Sequence, residues 1–299
     1  MPHFSSRRSL LLAAIATPFA GMAIPAFASD QRISRSAIQQ EFSRLEASAR
    51  GRLGLSAFNT GNGMRVQYRA YERFPVCSTF KTIVAAAILQ KSTTDKRLLN
   101  KRIRYNKDEV EQSGYAPITQ KHIADGMSIA ELCAATLQYS DNAAANFLMQ
   151  ELGGPAAVTA YARTIGDDTF RLDRWEPELN TAIPGDLRDT STPAAMGKSV
   201  QRLTLGDALA LPQREQLVNW LKGNTTGGKR MQAGVPQDWI VGDKTGTGYY
   251  GTTNDAGVIW PATGAPIVAA IYFTQNEKEA RPRDDIIASA TRIVVAALG

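Results

Sequence analysis

Strand-like segments occur near both ends of this chain, at residues 53–71 and 239–274, and nearly everything between them reads as helix or loop. A sheet assembled from both ends must wait for the chain to return to its start, so the middle is an insertion. Residues 53–60 and 64–71 read as strands joined at Gly61-Asn62-Gly63, a strong hairpin signal. Residues 239–245, 252–260 and 266–274 supply three more strands. Amphipathic helices bracket them: residues 35–50 place Ile38, Phe42, Leu45 and Ala49 at helical spacing, and residues 284–298 close the chain. The expected fold class is α/β (α+β), an antiparallel sheet flanked by helices with an inserted all-helical domain. Residues 29–72 and 222–299 form the discontinuous α/β domain, and residues 73–221 the helical one. A cleft between the two is the default place for a site.

Within the insertion, Phe80, Ile83, Val84, Ala87 and Ile88 form one apolar stripe from Ser78 onward. Ser128-Ile129-Ala130-Glu131 is a capping box that opens a helix through Leu132, Ala135 and Tyr139. Residues 142–152 make another helix, stopped by Gly153-Gly154-Pro155, and residues 155–165 the next. Residues 171–189 show no period at all. Helices resume near Pro193 and over 212–221.

Two His and two Cys among 299 residues restrict the chemistry further. No Cys/His cluster exists to supply zinc ligands, so no metal or other cofactor is expected. The net charge of +6 forms no basic run, which argues against nucleic acid as a partner. Residues 1–28 read as a cleaved export signal: Arg7 and Arg8, an apolar stretch from Leu10 to Ile24 too short to anchor in a membrane, then Ala26-Phe27-Ala28 as a cleavage site. A twin-arginine signal and a general secretory signal carrying two arginines fit equally well. Either puts the mature protein in a bacterial periplasm or outside the cell. His3 leaves with that segment, so His122 is the only imidazole in the mature chain. Cys77 and Cys133 would meet an oxidising compartment, where a bridge across so long a loop could contribute on the order of 4 kcal/mol.

With histidine scarce, a nucleophile must be activated by lysine or carboxylate. Ser78-Thr79-Phe80-Lys81 is the one place where Lys follows Ser by three residues, and on a helix those positions share a face. For Lys81 to serve as a base, its pKa must fall from about 10.4 to near neutrality, a cost of about 4 kcal/mol. Taken singly, the tetrapeptide is also an ordinary helix start with an exposed lysine. Ser140-Asp141-Asn142 sits between two helices, where it could aim a second hydroxyl or simply cap the second helix. Lys244-Thr245-Gly246-Thr247 ends a strand and suits a substrate anion, unless Lys244 is merely solvated. Arg230 adds a second cation or is a surface arginine. Glu176-Pro177-Glu178-Leu179-Asn180 lies in the aperiodic segment, where Glu176 and Asn180 could hold one water between them. Arg174 and Asp189 would pair to close that loop.

In this order, Ser-x-x-Lys, Ser-Asp-Asn, Glu-x-x-Leu-Asn and Lys-Thr-Gly resemble the class A serine β-lactamases. The resemblance extends from about residue 34 to residue 298, and residues 138–143, 170–176 and 241–247 are most similar to the KPC-type carbapenem-hydrolysing branch. It implies the serine β-lactamase/penicillin-binding-protein fold and a monomer; the residues themselves show no obvious membrane anchor. It implies that Ser78 attacks the lactam carbonyl, with the backbone N–H groups of Ser78 and Thr247 as oxyanion hole. Ser140 would relay a proton to the departing nitrogen, helped by Lys81 and Lys244. Glu176 with Asn180 would activate the water that frees the product, and either Lys81 or Glu176 would act as base in acylation. Asn142 would orient the substrate amide and Tyr115 would wall the cleft. Lys244, Thr245, Gly246, Thr247 and Arg230 would hold the carboxylate that β-lactams carry.

Three departures from the family pattern stand out. The carbapenem-hydrolysing branch usually pairs a cysteine at the place of Cys77 with one where this chain has Gly248. Other class A enzymes pair one at the place of Cys133 with one where this chain has Ala85. Both cysteines are therefore expected to be free. The stretch before Tyr115, through Gln112-Ser113-Gly114, is also about two residues longer than usual. The implied activity is hydrolysis of penicillins and cephalosporins, with carbapenem turnover open. The alternatives are a penicillin-binding DD-peptidase, which has no use for the water held by Glu176 and Asn180, and a non-catalytic β-lactam sensor.

Overall fold

The computed structural model describes residues 35–299. The export signal expected over residues 1–28 lies outside the described residues.

Helix α1 (Arg35–Ala49) turns Ile38, Phe42 and Ala49 inward, the spacing of one helix face. The chain then forms β1 (Arg52–Asn59) and β2 (Arg65–Tyr68), antiparallel, with Leu55 opposite Tyr68. Their turn is the expected one: Gly63 takes φ +70°, and the Asn59 side-chain oxygen accepts from the Gly61 N–H at 2.9 Å. β2 stops at Tyr68 instead of 71 because Arg69 turns to φ +44° and donates from Nε to Glu46 at 2.8 Å.

After the short β3 (Phe74–Pro75) comes α2 (Lys81–Lys91). The sequence predicts one apolar stripe here, but every residue from Lys81 to Leu89 is buried. A helix apolar on all sides belongs at the centre of a helical cluster, and α2 is packed on several sides at once. Next in order are β4 (Arg102–Ile103), α3 (Lys107–Gln112) and β5 (Met127–Ser128). Around α2 stand α4 (Ile129–Gln138), α5 (Asn142–Leu152) and α6 (Pro155–Thr164). The Ser128/Glu131 capping box opens α4 as expected. A second box, Asn106 with Glu109, opens α3 and was not anticipated. The aperiodic 171–189 segment holds a single 3-10 turn, Glu178–Thr181, before β6 (Thr190–Ser191) pairs with β3. Helices α7 (Pro193–Thr204) and α8 (Leu211–Lys222) lead back to the sheet.

The sheet is completed by β7 (Ile240–Gly248), β8 (Thr252–Trp260) and β9 (Ile267–Thr274), followed by α9 (Asp284–Leu298). Its order is β2-β1-β9-β8-β7, antiparallel throughout. β7 does not end at Thr245 as expected but carries Lys244 to Thr247 onward to Gly248. Successive residues of β9 alternate between two cores. Ile267, Ala269, Ile271 and Phe273 join the core shared with α1 and α9, while Val268, Ala270 and Tyr272 join the core of the helical cluster. The antiparallel sheet is thus covered by helices on both faces, which is why β9 reads as an unbroken apolar run. Each fully buried aliphatic or aromatic side chain in such a strand contributes about 1.5–3 kcal/mol. Among the described residues no helix is long and apolar enough to cross a membrane.

Candidate active site

Ser78 lies on a 3-10 turn, Cys77–Phe80, that runs directly into α2. In that geometry positions i and i+3 eclipse. Lys81 Nζ accordingly reaches back to donate to Ser78 Oγ at 3.0 Å. The turn is entered through Cys77 at φ +42°, a conformation that costs a non-glycine residue about 1–3 kcal/mol and persists only under tight packing. β7 supplies that packing. A Cβ on Gly246 would stand 2.9 Å from Val76 O, and one on Gly248 would stand 2.7 Å from Cys77 Sγ and from Asn180 O. Glycine at these two positions lets the strand pass directly against the turn that carries Ser78. Asn254 on β8 ties the same turn down, donating to Pro75 O at 2.8 Å.

Lys81 is fully buried and sits among five acceptors. Besides Ser78 Oγ, it faces Ser140 O at 2.8 Å, Ser140 Oγ at 3.4 Å, Asn142 Oδ1 at 2.7 Å and Glu176 Oε1 at 3.0 Å. An ammonium has three N–H donors, so these oxygens share them. Ser140 reaches this position by adopting φ +59° between α4 and α5. Asp141 is the cap of α5, accepting from the Ala144 N–H at 2.9 Å, and it also accepts from the backbone N–H groups of Ile118 and Thr119 at 2.9 Å each. The capping reading of Ser140-Asp141-Asn142 is thus realised by Asp141, while Ser140 and Asn142 turn toward Lys81. The Asn142 N–H donates to Tyr115 O at 2.8 Å, which brings Tyr115, 59% exposed, alongside the cluster.

The loop that delivers Glu176 is tied at its neck. Arg174 Nε meets Asp189 Oδ2 at 2.6 Å, the ion pair anticipated from the sequence, and the Asp173 and Asp189 carboxylates accept from one another's backbone N–H. Asn180 Nδ2 donates directly to Glu176 Oε2. The two residues expected to hold a water between them are thus in direct contact. Asn146, which the sequence reading overlooked, clamps the Glu176 backbone from α5: its Oδ1 accepts from Glu176 N–H and its Nδ2 donates to Glu176 O, each at 3.0 Å. The Glu176-Pro177 peptide is cis.

Lys244 is not solvated. It is fully buried, and its ammonium donates to Thr245 O at 3.0 Å. Burial, reinforced by the positive charge of Lys81, pulls its pKa down to about 7, against the pull of Asp243 and Asp255. Those two carboxyls are buried against one another, and burial pushes both upward, Asp255 furthest. Asp243 accepts from Asn224 Nδ2 at 2.7 Å and Gln232 Nε2 at 2.9 Å. Arg230 is no surface arginine either. Its Nε pairs with Asp284 Oδ1 at 2.7 Å, Nη1 donates to Gly246 O and Asn254 O, and Nη2 donates to Thr247 Oγ1 at 2.7 Å. It therefore braces the strand and aims the Thr247 hydroxyl. Thr245 Oγ1 shares a hydrogen bond with Thr226 Oγ1, a residue no sequence signal singled out.

Cys77 and Cys133 are both free and buried, as expected. Burial raises both thiols, and the Glu176 charge raises Cys77 further, so neither is a ready thiolate. Among the described residues no group of three or more His, Cys, Asp or Glu is placed to hold a metal ion.

A serine hydrogen-bonded to a buried lysine, which is itself paired with a carboxylate on a separate loop, has what acyl transfer through the serine oxygen requires. Residues 37–298 match the β-lactamase enzyme family. The chain belongs to that family. It is a class A serine β-lactamase, a hydrolase of β-lactams. It is 55% identical over 265 residues to β-lactamase OXY-2 of Klebsiella oxytoca, covering 89% of this chain and 91% of that one. It is 51% identical over 294 residues to the carbapenem-hydrolysing β-lactamase KPC of Klebsiella oxytoca, covering 98% and 97%. The crystal structure of a β-lactamase from Desulfarculus baarsii superposes with a TM-score of 0.86 at 53% identity, over 88% of this chain and 97% of that one. The expected fold is thereby established for this β-lactamase.

Proposed function

We propose that this enzyme opens the β-lactam amide of penicillins and cephalosporins through an acyl ester on Ser78, and that Glu176 directs the water that discharges it. The observation that carries this reading is the single ammonium of Lys81, 3.0 Å from Ser78 Oγ and 3.0 Å from Glu176 Oε1. Both oxygens lie on one nitrogen, which keeps them within reach of one bridging water. In acylation Ser78 Oγ bonds to the lactam carbonyl carbon, the C–N bond breaks, and the hydroxyl proton leaves through the Lys81–Glu176 pair. Ser140 gives its own proton to the departing nitrogen and takes up in exchange, through Lys81, the one lifted from Ser78, so the Lys81–Glu176 pair returns to its starting state. In deacylation water adds to the ester carbon, gives its proton to Glu176, and Ser78 leaves as the hydroxyl. One water is consumed per lactam.

The backbone N–H groups of Ser78 and Thr247 would stabilise the carbonyl oxygen as it becomes anionic, a contribution of about 3 kcal/mol per donor. The passage of Gly246 and Gly248 against the nucleophile turn supports that pairing. Lys244, Thr245 and Thr247 would receive the substrate carboxylate, with Arg230 acting through the Thr247 hydroxyl. Asn142 would meet the substrate amide and Tyr115 would wall the cleft. Carbapenems belong in the substrate panel because a KPC enzyme is among the relatives. The enzyme would work as a monomer in the periplasm or outside the cell, exported by residues 1–28, with a cleavage product starting near residue 29.

A chromogenic cephalosporin assay combined with intact-protein mass spectrometry tests the reading. Wild type should turn over rapidly without a lasting adduct, Ser78→Ala should form none, and Glu176→Gln should accumulate a stoichiometric acyl adduct on Ser78. A stable adduct on wild type would indicate a penicillin-binding DD-peptidase or a sensor instead. Normal steady-state turnover by Glu176→Gln would overturn the role of the carboxylate.

A further inference from the structure

We propose that the Ser113 hydroxyl is a positioning group for deacylation, holding Glu176 in register through the Asn146 carboxamide. The inference rests on the reading of Glu176 given above and adds a residue from the lengthened segment before Tyr115.

Ser113 is 3% exposed and terminates α3, the helix opened by the Asn106/Glu109 capping box. Its hydroxyl donates to Glu109 O at 2.9 Å, which fixes the direction of the O–H and turns a lone pair outward. Asn146 Nδ2 donates to that lone pair at 3.2 Å. The amide inventory of Asn146 is then fully committed. One Nδ2 hydrogen goes to Glu176 O, the other to Ser113 Oγ, and Oδ1 accepts from Glu176 N–H. Both backbone groups of Glu176 therefore hang on one carboxamide, and Ser113 is the group on its far side that stops it from tilting. Without the hydroxyl, a part-buried N–H would lose its partner and seek another by rotating the amide. The carboxylate would move with the backbone it hangs on. Displacement of a catalytic group by a fraction of an ångström is enough to slow a step substantially.

Ser113 touches the other arm of the site through a different atom. Its carbonyl oxygen accepts from Asn142 Nδ2 at 3.1 Å, and Asn142 Oδ1 accepts from Lys81. Replacing the side chain leaves that carbonyl in place. Ser113→Ala thus acts on the Glu176 arm first and reaches Lys81 only through their ion pair.

The test is rapid-quench kinetics with intact mass detection on Ser113→Ala and Ser113→Thr, each checked for native circular dichroism. Ser113→Ala should discharge its acyl ester about tenfold more slowly than wild type. Its acylation constant should fall by less, because Lys81 keeps its acceptors at Ser140 and Asn142, so the steady-state adduct fraction rises. Ser113→Thr, which keeps the hydroxyl, should restore discharge to within twofold. Wild-type discharge by Ser113→Ala overturns the proposal. So does an equal loss in acylation and discharge, or failure of a folded Ser113→Thr to restore the rate. Glu176→Gln measured in parallel keeps the two readings apart. If it traps the ester while Ser113→Ala does not, the Ser113 inference alone fails; if it traps nothing, the Glu176 reading has failed.

Discussion

The two buried lysines of this β-lactamase have opposite surroundings. Lys81 is fully buried among the hydroxyl of Ser78, both oxygens of Ser140, the amide of Asn142 and the carboxylate of Glu176. Lys244 is as deeply buried, yet its ammonium has one backbone carbonyl within hydrogen-bond distance and its pKa is pulled down to about 7. The contrast shows how a fold can assign two tasks to one side-chain type. A lysine saturated with internal acceptors holds a carboxylate in place, and on the proposed mechanism it would carry internal proton traffic. A lysine left short of acceptors would, on the same proposal, take an anion from outside, because an incoming carboxylate would supply what burial withheld.

Removing the saturated lysine should do the most damage. Lys81→Ala leaves the Glu176 carboxylate buried without its cation and Ser78 without its partner. Turnover of a chromogenic cephalosporin should drop by at least about 10³-fold, with a stability loss of about 3 kcal/mol by urea unfolding. Activity within tenfold of wild type would remove Lys81 from the proton path. Next in size is Arg174→Ala at the neck of the loop, which strips the partner from a buried Asp189. It should cost about 3 kcal/mol and slow ester discharge. Arg174 also donates to Thr181, next to the Asn180 whose carbonyl accepts from Tyr249 N–H just past β7. KM for carboxylate-bearing substrates should still change less than ester discharge, and a KM shift as large as the loss in discharge would mean the loop and the strand end act as one unit.

Lys244→Ala sharpens the comparison from the other side. Loss of a charge-assisted hydrogen bond is worth about 1.5–3 kcal/mol, so kcat/KM for anionic lactams should fall roughly ten- to hundredfold. A substrate esterified at that carboxylate should be spared, and equal losses for both would refute the anion site. In wild type the Lys244 charge fades as pH climbs past about 7, so kcat/KM for anionic lactams should decline over pH 7–9 while the esterified substrate shows no such limb. The smallest effect is on stability. Between pH 7 and the ordinary lysine range the unfolded chain keeps a proton that native Lys244 has shed, so stability attributable to this residue rises with pH. The unfolding free energy of wild type relative to Lys244→Met should increase from pH 7 to 9; a decrease would contradict the lowered pKa.

Much of this was legible in the sequence because it depends on local signals. Periods of 2 and 3.6 marked the sheet strands and the long helices, and the ordered serine, lysine and glutamate motifs brought in the family resemblance. What escaped depends on partners far away in the chain. Nothing local says that Lys244 lies buried, since that follows from the register of β7 against β8. Arg230 looked like either a ligand or a surface charge because its partners, Asp284, Asn254 and Thr247, become visible as partners only once the sheet is closed. Asn146 reads as one more polar helix residue until the loop folds over it. The extent of burial around α2 was underestimated because alanines give a weak periodic signal.

β1 lies between β2, its neighbour in sequence, and β9, which pairs Arg52 with Thr274. A lone hairpin is at best marginal in water. A chain emerging from the ribosome therefore carries an apolar ribbon with no second partner until its last strand has been made. Assembly is consequently a late event governed by long-range closure, slow by the standards of locally wired proteins and exposed to aggregation or proteolysis in the interval. The same wiring means that few intermediates can hold a productive Ser78 cluster, so the molecule is either whole or inert.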